Sequence, residues 1–233
     1  MNVQTSSLLE IIEALPASSM LLLHEVSWAE YEDLLAHLPD NPRFRLSYDQ
    51  GTLEIMTLSP RHERLKSLFA PLLTVLTEEL DLNLVGLGST TFRLAEAARG
   101  LEPDDCYYIQ QAERMVGQDT IDLITDPPPD LVVEVDITHP SLDKFPIYAS
   151  LRVPEVWRHN GTTLQFFHLV GERYTQTSES GLFPLLAAEV LAGFVQQGRA
   201  HGTIPMIRAF RDWVRATASS NHCGYACEDI TPR

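Results

Sequence analysis

The sequence predicts a mixed α/β (α+β) domain, in which helices flank a mixed β-sheet. Two observations carry this prediction. Segments with apolar residues at helical spacing alternate with short segments of strand periodicity along most of the chain. A predicted helix over residues 144–151 also separates two predicted strands, and such a crossover connection is typical of sheets that contain parallel strands.

The size and composition fit one ordinary globular domain. The chain has 233 residues, of which 44% are hydrophobic and 21% charged. We expect one domain over residues 1–218, with helical additions at both ends. Residues 219–233 are polar and without pattern, so we expect a loose tail there.

The charge and the cysteines restrict the classes of function. A formal net charge of -15 excludes a non-specific DNA coat, so nucleic acid would be bound through a local basic patch or through bound cations. Cys106, Cys223 and Cys227 form no disulfide framework, which favours a reducing compartment. With no signal peptide and no apolar run of membrane length, we expect a cytoplasmic protein without a membrane partner.

Helices are predicted where apolar residues recur every three or four positions. Ser27 and Glu30 have the spacing of a capping box, and Ser59 with Pro60 supplies a cap and a first-turn proline for a long helix. His62 lies on the buried face of that helix, near its positive end. The predicted helices span residues 8–15, 27–39, 60–80, 144–151, 189–197 and 204–218.

Strands are predicted where apolar and polar residues alternate or where β-branched residues cluster. Gly51 closes a hairpin, Gly161 separates two later strands, and residues 98–100 are predicted to form a turn. The predicted strands or extended segments span residues 20–26, 43–48, 52–57, 84–87, 91–94, 101–109, 130–136, 153–158, 164–169 and 173–175.

The strand over residues 130–136 is the most informative stretch. Its alternation predicts one apolar face and one face with a row of acids, which are Asp130, Glu134 and Asp136. Neighbouring carboxylates repel each other and lose solvation when buried. A fold keeps such a row mainly when a cation lies against it.

The strand spacing selects which acids can share a cation. Asp130 and Glu134 are roughly 13 Å apart along a regular strand, whereas Glu134 and Asp136 are about 6.6 Å apart on one face. Asp104 begins another alternating strand, and a neighbouring strand lies only about 4.8 Å away. Lys144 on the next element would complete a carboxylate, metal and lysine site. Such oxygen ligands favour Mg²⁺ or Mn²⁺ and suit the cleavage of phosphate esters.

Each of these residues also has a structural interpretation. Asp104 follows a proline and fits a turn, and Asp130 fits the beginning of a strand better than a ligand position. Asp136 fits an outer ligand or a polar strand end. His62 fits a core histidine or a helix cap, and Lys144 by itself fits a surface lysine. Glu134 lies inside an apolar run, where a purely structural role is hard to justify.

Several ordered motifs resemble the Uma-type endonuclease-like family of the restriction-endonuclease-like PD-(D/E)XK superfamily. The resemblance covers roughly residues 48–169. Its motifs are Tyr48-Asp-Gln-Gly-Thr-Leu-Glu-Ile followed by His62, Gly100-Leu-Glu-Pro-Asp-Asp-Cys-Tyr-Tyr-Ile, Pro129-Asp-Leu-Val-Val-Glu-Val, Lys144 with Tyr148, and Val153-Pro-Glu-Val-Trp.

The resemblance implies a restriction-endonuclease-like mixed β-sheet core flanked by helices. It implies that Asp104 and Glu134 hold a divalent cation, with the carbonyl of Val135 as a third ligand. Lys144 would orient the attacking water or stabilise the transition state, and His62 would help to position a phosphate.

The chain departs from the superfamily pattern at two positions. Asp136 stands where the motif lysine normally lies, and Lys144 on the following helix is the implied substitute. Pro146 is tolerated only in the first turn of a helix, so the helix is expected to begin close to Asp143.

Three functions therefore remain open, of which the third is an acidic homo-oligomer with a purely structural role. The first is a Mg²⁺- or Mn²⁺-dependent endonuclease that hydrolyses nucleic acid, with DNA as the first expected substrate. The second is a nuclease-fold module that binds nucleic acid or protein without cutting. A homodimer is also consistent with the sequence, through an aromatic surface around Trp157 or through the closing helices.

Overall fold

The computed structural model describes residues 5–38, 43–118, 120–137 and 142–223. The α-helices of this part are α1 (Thr5–Ala14), α2 (Trp28–His37), α3 (Pro60–Lys66), α4 (Phe69–Glu79), α5 (Ala112–Met115), α6 (Phe145–Ser150), α7 (Ala188–His201) and α8 (Thr203–Cys223). Its strands are β1 (Met20–Leu23), β2 (Phe44–Asp49), β3 (Thr52–Thr57), β4 (Val85–Gly86), β5 (Phe92–Leu94), β6 (Arg99–Leu101), β7 (Asp105–Tyr108), β8 (Leu131–Val135), β9 (Glu155–His159), β10 (Leu164–Val170) and β11 (Arg173–Thr177). The mixed α+β class predicted from the sequence is confirmed.

The strands form two sheets, where the sequence analysis expects a single one. The first sheet is antiparallel throughout, with the order β1-β3-β2-β6-β5. The second has the order β11-β10-β9-β8-β7-β4 and is mixed, because β8 and β9 run parallel while its other pairs are antiparallel. The predicted acidic strand, β8, lies in the interior of this second sheet.

The change of sheet occurs inside the segment predicted as one strand over residues 101–109. Strand β6 ends at Leu101 in the first sheet, and β7 begins at Asp105 in the second. The amide of Glu102 still donates to the carbonyl of Leu46 over 2.9 Å, but Pro103 has no amide hydrogen with which to continue the ladder. The break leaves Asp104 at the junction of the two sheets.

Three hydrophobic clusters hold these layers together, and β8 contributes to two of them. Val133 and Val135 pack with α4, α7 and α8 on one face of the second sheet. Val132 on the other face packs with Ile147 and Tyr148 of α6. The first sheet packs against α1 and α2 through a separate cluster. The acid-bearing face of β8 therefore turns towards α6.

The helix predicted over residues 60–80 is interrupted. Helix α3 ends at Lys66 and α4 begins at Phe69, so two helices replace the predicted one. Pro71 explains the break, because a proline ring clashes with the carbonyl four residues earlier, that of Ser67. In the first turn of α4 the missing amide hydrogen of Pro71 costs no hydrogen bond.

The predicted turn at residues 98–100 is partly wrong. Ala98 does adopt a left-handed conformation, with φ of 49°, but Gly100 lies inside β6. A Cβ atom at Gly100 would lie 2.6 Å from the hydroxyl of Tyr31, so the glycine allows α2 to approach the sheet closely.

The carboxyl-terminal helix is longer than predicted. Helix α8 continues to Cys223, so residues 219–223 of the expected loose tail are helical. Residues 224–233, including Cys227, lie outside the described part of the chain. The extent of the domain over residues 1–218 stays a prediction.

Trp157 is buried, with 1% of its surface exposed, and its indole donates to Glu155 over 2.6 Å. The aromatic surface that the sequence analysis places around Trp157 is therefore part of the core. Among the described helices, none combines the length and the hydrophobicity that crossing a bilayer requires.

Candidate active site

The pairing of β7 with β8 places Asp104 opposite Glu134. Asp105 pairs with Val133 in this antiparallel ladder, and one further step of the same register brings Asp104 and Glu134 together. Residues directly opposite each other in such a ladder point to the same face, with their Cβ atoms about 4.5–5.5 Å apart. The two acids that the sequence selected are therefore neighbours, and both are buried.

Asp104 is held by groups from three different elements. Its Oδ2 accepts from the amide of Val135 over 2.8 Å and lies 2.9 Å from Nε2 of His62. Its Oδ1 lies 3.9 Å from Nε of Arg45 and accepts no hydrogen bond from the described residues. One oxygen of this buried carboxylate thus retains free lone pairs.

His62 reaches Asp104 because α3 begins immediately beside it. The hydroxyl of Ser59 caps the helix by accepting from the amide of His62 over 3.2 Å. Burial alone would lower the pKa of His62, but the hydrogen bond and the charge of Asp104 outweigh it and raise that pKa. In return, His62 keeps the pKa of the Asp104 carboxyl below its usual value despite complete burial.

Glu134 is held by two side chains of α6. The ammonium group of Lys144 donates to Oε2 of Glu134 over 2.8 Å, and the hydroxyl of Tyr148 donates to Oε1. Burial is the main reason why the pKa of Glu134 rises to about 7; the charges of Asp104 and Asp136 also raise it, whereas Lys144 lowers it. Burial by itself would lower the pKa of Lys144, but the carboxylate of Glu134 raises it, so the amine stays charged.

The local sequence explains how α6 presents this pair. Lys144 is the residue that precedes the helix, and Pro146 occupies its first turn, as the sequence analysis requires. The amide of Tyr148 donates to the carbonyl of Lys144 over 3.0 Å. The two side chains are therefore one turn apart and lie on the same side of the helix.

Asp136 has a different partner. It follows the last residue of β8, and its Oδ2 lies 2.6 Å from Nε of Arg158, while its Oδ1 is buried without a hydrogen bond from the described residues. Within the described ranges, no group of three or more His, Cys, Asp or Glu side chains is arranged to hold a metal ion. A cavity of about 330 Å³ is lined by Asp136 and Arg158 together with Glu134, Lys144 and Tyr148.

Comparison with known proteins identifies the family. Residues 28–200 match the sequence profile of the Uma2 family, which is described as "Putative restriction endonuclease". The chain belongs to this family. The match begins at α2 and ends within α7, so it extends beyond the motif-bearing residues 48–169 on both sides.

The search of curated proteins returned no match. Among solved structures, the chain is similar to a crystal structure described as a "putative nuclease" of the DUF820 family from Anabaena variabilis. The two share 13% sequence identity with a TM-score of 0.44, over 70% of this chain and 97% of that one.

Two residues of the candidate site were not predicted to make the contacts that the structure shows. Tyr148 was named only as part of a motif with Lys144, but its spacing of four residues from Lys144 was a usable signal for its contact with Glu134. Arg45 gave no such signal, because it lies in a predicted strand far from the acids in sequence. Only the approach of β2 to the start of β7 places it beside Asp104.

Asp130 was expected to lie at the beginning of the strand and not to act as a ligand, and its contacts agree with that role. Its Oδ2 accepts from the amides of Ile109 over 2.7 Å and Gln111 over 3.0 Å. It therefore fixes the chain that leaves β7, at the opposite end of β8 from Glu134.

The residues present fit a small divalent cation. The free Oδ1 of Asp104 and the carboxylate of Glu134 are hard oxygen ligands, which Mg²⁺ and Mn²⁺ prefer. Mg²⁺ needs only one or two protein carboxylates, because it keeps several water ligands. The lack of a third acidic ligand in the described residues is compatible with such a site.

Proposed function

We propose that this Uma2-family protein is a Mg²⁺- or Mn²⁺-dependent endonuclease that hydrolyses phosphodiester bonds of nucleic acid, with DNA as its first substrate. One observation carries the proposal. Two buried carboxylates, Asp104 and Glu134, face each other across adjacent strands, and Lys144 contacts one of them at the wall of a cavity. Burying two acids and a lysine together costs free energy of desolvation. Such groups are concentrated at functional sites.

In this proposal Asp104 and Glu134 hold the cation, with the carbonyl of Val135 as a further ligand. The bound ion would lower the pKa of a water molecule and neutralise charge on the scissile phosphate. Asp136 pairs with Arg158 through Oδ2 and lines the same cavity, and its Oδ1, which accepts no hydrogen bond from the described residues, stays a candidate outer ligand.

The remaining residues orient these groups and supply positive charge. Lys144 presents its ammonium to the cavity and stabilises the charge that develops on the phosphate in the transition state. Tyr148 fixes the rotamer of Glu134 by its hydrogen bond to Oε1, and His62 fixes Asp104 in the same way through Oδ2. His62 is thus a positioning residue here, in addition to its predicted action on a phosphate.

The test is a cleavage assay on single-stranded and double-stranded DNA, with Mg²⁺, Mn²⁺ or EDTA. We expect cleavage that requires the metal. Glu134→Gln should lower the rate at least about 100-fold, because changes to the groups around a metal ligand alone cost about 10–100-fold.

Asp130→Asn is the matched control, because it changes a buried acid that lies just before the same strand and away from the cavity. It should keep the rate within a few-fold of the wild type per folded molecule. Equal cutting by wild type and Glu134→Gln would refute the assigned site.

A second function is favoured by a specific feature of the site. Protein side chains already bind both carboxylates, since His62 lies 2.9 Å from Asp104 and the ammonium of Lys144 lies 2.8 Å from Glu134. With these protein partners the two carboxylates need no metal ion, as expected of a nuclease-fold module that binds nucleic acid or protein without cutting. Retention of DNA with no cleavage in either metal would support the module, for which a cytoplasmic location and a homodimer remain equally consistent.

A further inference from the structure

Three arginines line a cleft on the surface between α3 and α7. Arg61 and Arg64 come from α3 and Arg199 from α7, and we refer to these three residues as the arginine cleft. The cleft has a volume of about 490 Å³ and is completed by Pro60, Leu65, Gln196 and Ala200. The net charge of -15 calls for a local basic patch or bound cations if nucleic acid is to bind, and no pattern in the sequence predicts where such a patch lies.

The charges of the arginine cleft are not compensated, although the chain is strongly acidic. Lys and Arg number 17 against 32 Asp and Glu. Arg99, Arg158, Arg211 and Arg215 each form an ion pair with a carboxylate. Among the described residues, no carboxylate forms an ion pair with any arginine of the cleft.

Neighbouring groups in the cleft hold its arginines without neutralising them. Arg64 donates to the carbonyl of Arg199 over 2.9 Å, and Arg199 donates to the carbonyl of Gly161 over 3.3 Å. Glu63 is the acid next to the cleft in sequence, but its carboxylate lies 3.1 Å from His62 and 4.0 Å from Lys66. The guanidinium groups are therefore positioned and remain available to an anion.

The cleft adjoins the candidate active site along the edge of the second sheet. Strands β8 and β9 run parallel, so their carboxyl ends lie at the same edge, where Glu134 is next to the last residue of β8. Gly161 follows the end of β9 with φ of +90°. A Cβ atom there would lie 3.1 Å from Ile137, just past β8, and 3.7 Å from Arg61. Gly161 thus lies between the end of the acidic strand and the cleft.

Helix α3 makes a second connection between the two sites. Arg61 precedes His62, which contacts Asp104, whereas Arg61 itself lines the cleft. One helix therefore contributes to both the carboxylate site and the cationic surface.

We propose that the arginine cleft binds backbone phosphates of the nucleic-acid strand that occupies the candidate active site. Guanidinium groups donate paired hydrogen bonds that match the geometry of phosphate oxygens. Because the net charge of the protein repels a polyanion, attraction must come from a local concentration of unpaired cations. This proposal rests on the proposed nuclease function and extends it by naming the surface that holds the substrate.

The test measures DNA binding separately from cleavage. Fluorescence anisotropy of labelled single-stranded and duplex oligonucleotides is recorded in EDTA, over about 50–200 mM salt. Arg61→Gln/Arg199→Gln is compared with the wild type. Each lost phosphate contact should reduce the slope of log K against log salt by about 0.9 for duplex and about 0.7 for single strands.

Two further variants separate charge from folding. Arg173→Gln removes an exposed arginine of β11, at the far edge of the sheet, and should bind like the wild type. Arg61→Lys/Arg199→Lys keeps the charge and should keep the salt slope. Melting temperatures of all variants check that they fold.

The outcomes decide between this proposal and the proposed nuclease function. A weakened, less salt-dependent complex for the double glutamine variant alone supports the cleft. An unchanged slope, or a wild type that binds neither oligonucleotide at low salt, overturns it. Absence of cleavage would contradict only the nuclease function, because the binding measurement needs no metal and no cutting.

Discussion

The two ends of β8 carry buried carboxylates in contrasting surroundings. Asp130, just before the strand, accepts hydrogen bonds from two backbone amides. Glu134, near its other end, accepts from the side chains of Lys144 and Tyr148 and lines a cavity. Backbone donors are fixed by the fold, whereas side-chain donors can rotate away when a ligand arrives.

The contrast shows how to recognise a functional acid among buried ones. A carboxylate oxygen that accepts from two backbone amides stabilises a chain connection and has both of its lone pairs occupied. A carboxylate that faces a cavity, and whose pKa is raised to about 7 by burial and then by neighbouring acids, is kept at a cost in stability. Substitutions at the two ends should therefore affect different properties.

The largest expected effect is on stability, at the Asp130 end. Asp130→Ala leaves the buried amides of Ile109 and Gln111 without an acceptor, and each such group costs about 1–3 kcal/mol. We expect the free energy of unfolding to fall by about 2–6 kcal/mol in urea denaturation. Asp130→Asn keeps an acceptor oxygen and should lose less. Equal losses for both variants would contradict this role.

A smaller effect is expected at the Glu134 end, on metal affinity. Tyr148→Phe removes the hydroxyl that holds Oε1 of Glu134 and should weaken Mn²⁺ binding about 10–100-fold in titration calorimetry. Tyr108→Phe is the control, because its hydroxyl donates to the carbonyl of Pro127, away from the site. A purely structural role for Tyr148 would lower the melting temperature without changing the metal affinity.

The smallest effect is expected for a carboxylate that lies between two helices near the surface and is only partly buried. Glu79 of α4 binds Arg215 of α8 over 2.7 Å and Arg211 over 2.5 Å. The hydrogen bond from Arg215 keeps the pKa of Glu79 below its usual 4.5, although burial opposes this. The folded state then binds fewer protons than the unfolded state, so the stabilisation is present above pH 4.5 and is lost as the pH falls below it.

Glu79→Gln should accordingly lower the melting temperature slightly at pH 7. The difference from the wild type should shrink below pH 4.5 and also in about 1 M salt, where charges are screened within about 3 Å. A difference that persists under both conditions would assign the effect to packing of α4 against α8 instead.

Much of the local structure was predictable because it depends on residues close in sequence. The capping box of Ser27 and Glu30 forms as its spacing indicates, with the amide of Glu30 3.3 Å from the hydroxyl of Ser27. The hairpin around Gly51 and the turn at Gly161 also form as predicted, with positive φ at both glycines. The break at Pro71 could have been predicted by the same local rule, but the continuous apolar stripe concealed it.

The candidate site was predictable where strand periodicity and strand adjacency suffice. Glu134 stands out as an acid within an apolar run, and a break at Pro103 marks the beginning of the strand with Asp104. The partners of the acids were harder to predict. Arg45 and His62 are far in the chain from Asp104, which they contact. The ion pair of Asp136 with Arg158 was not predicted, since no local pattern reveals it.

The sequence by itself determined the periodicity of the acidic strand, the ends of most helices and the residue types available for a metal site. These features depend on steric and hydrogen-bonding preferences that act within a few residues. Only the tertiary structure decided that the strands divide between two sheets, which side chain lies on each carboxylate and where three arginines of α3 and α7 meet. Those outcomes depend on contacts between distant segments, whose free energies are set by burial and by the local dielectric rather than by spacing along the chain.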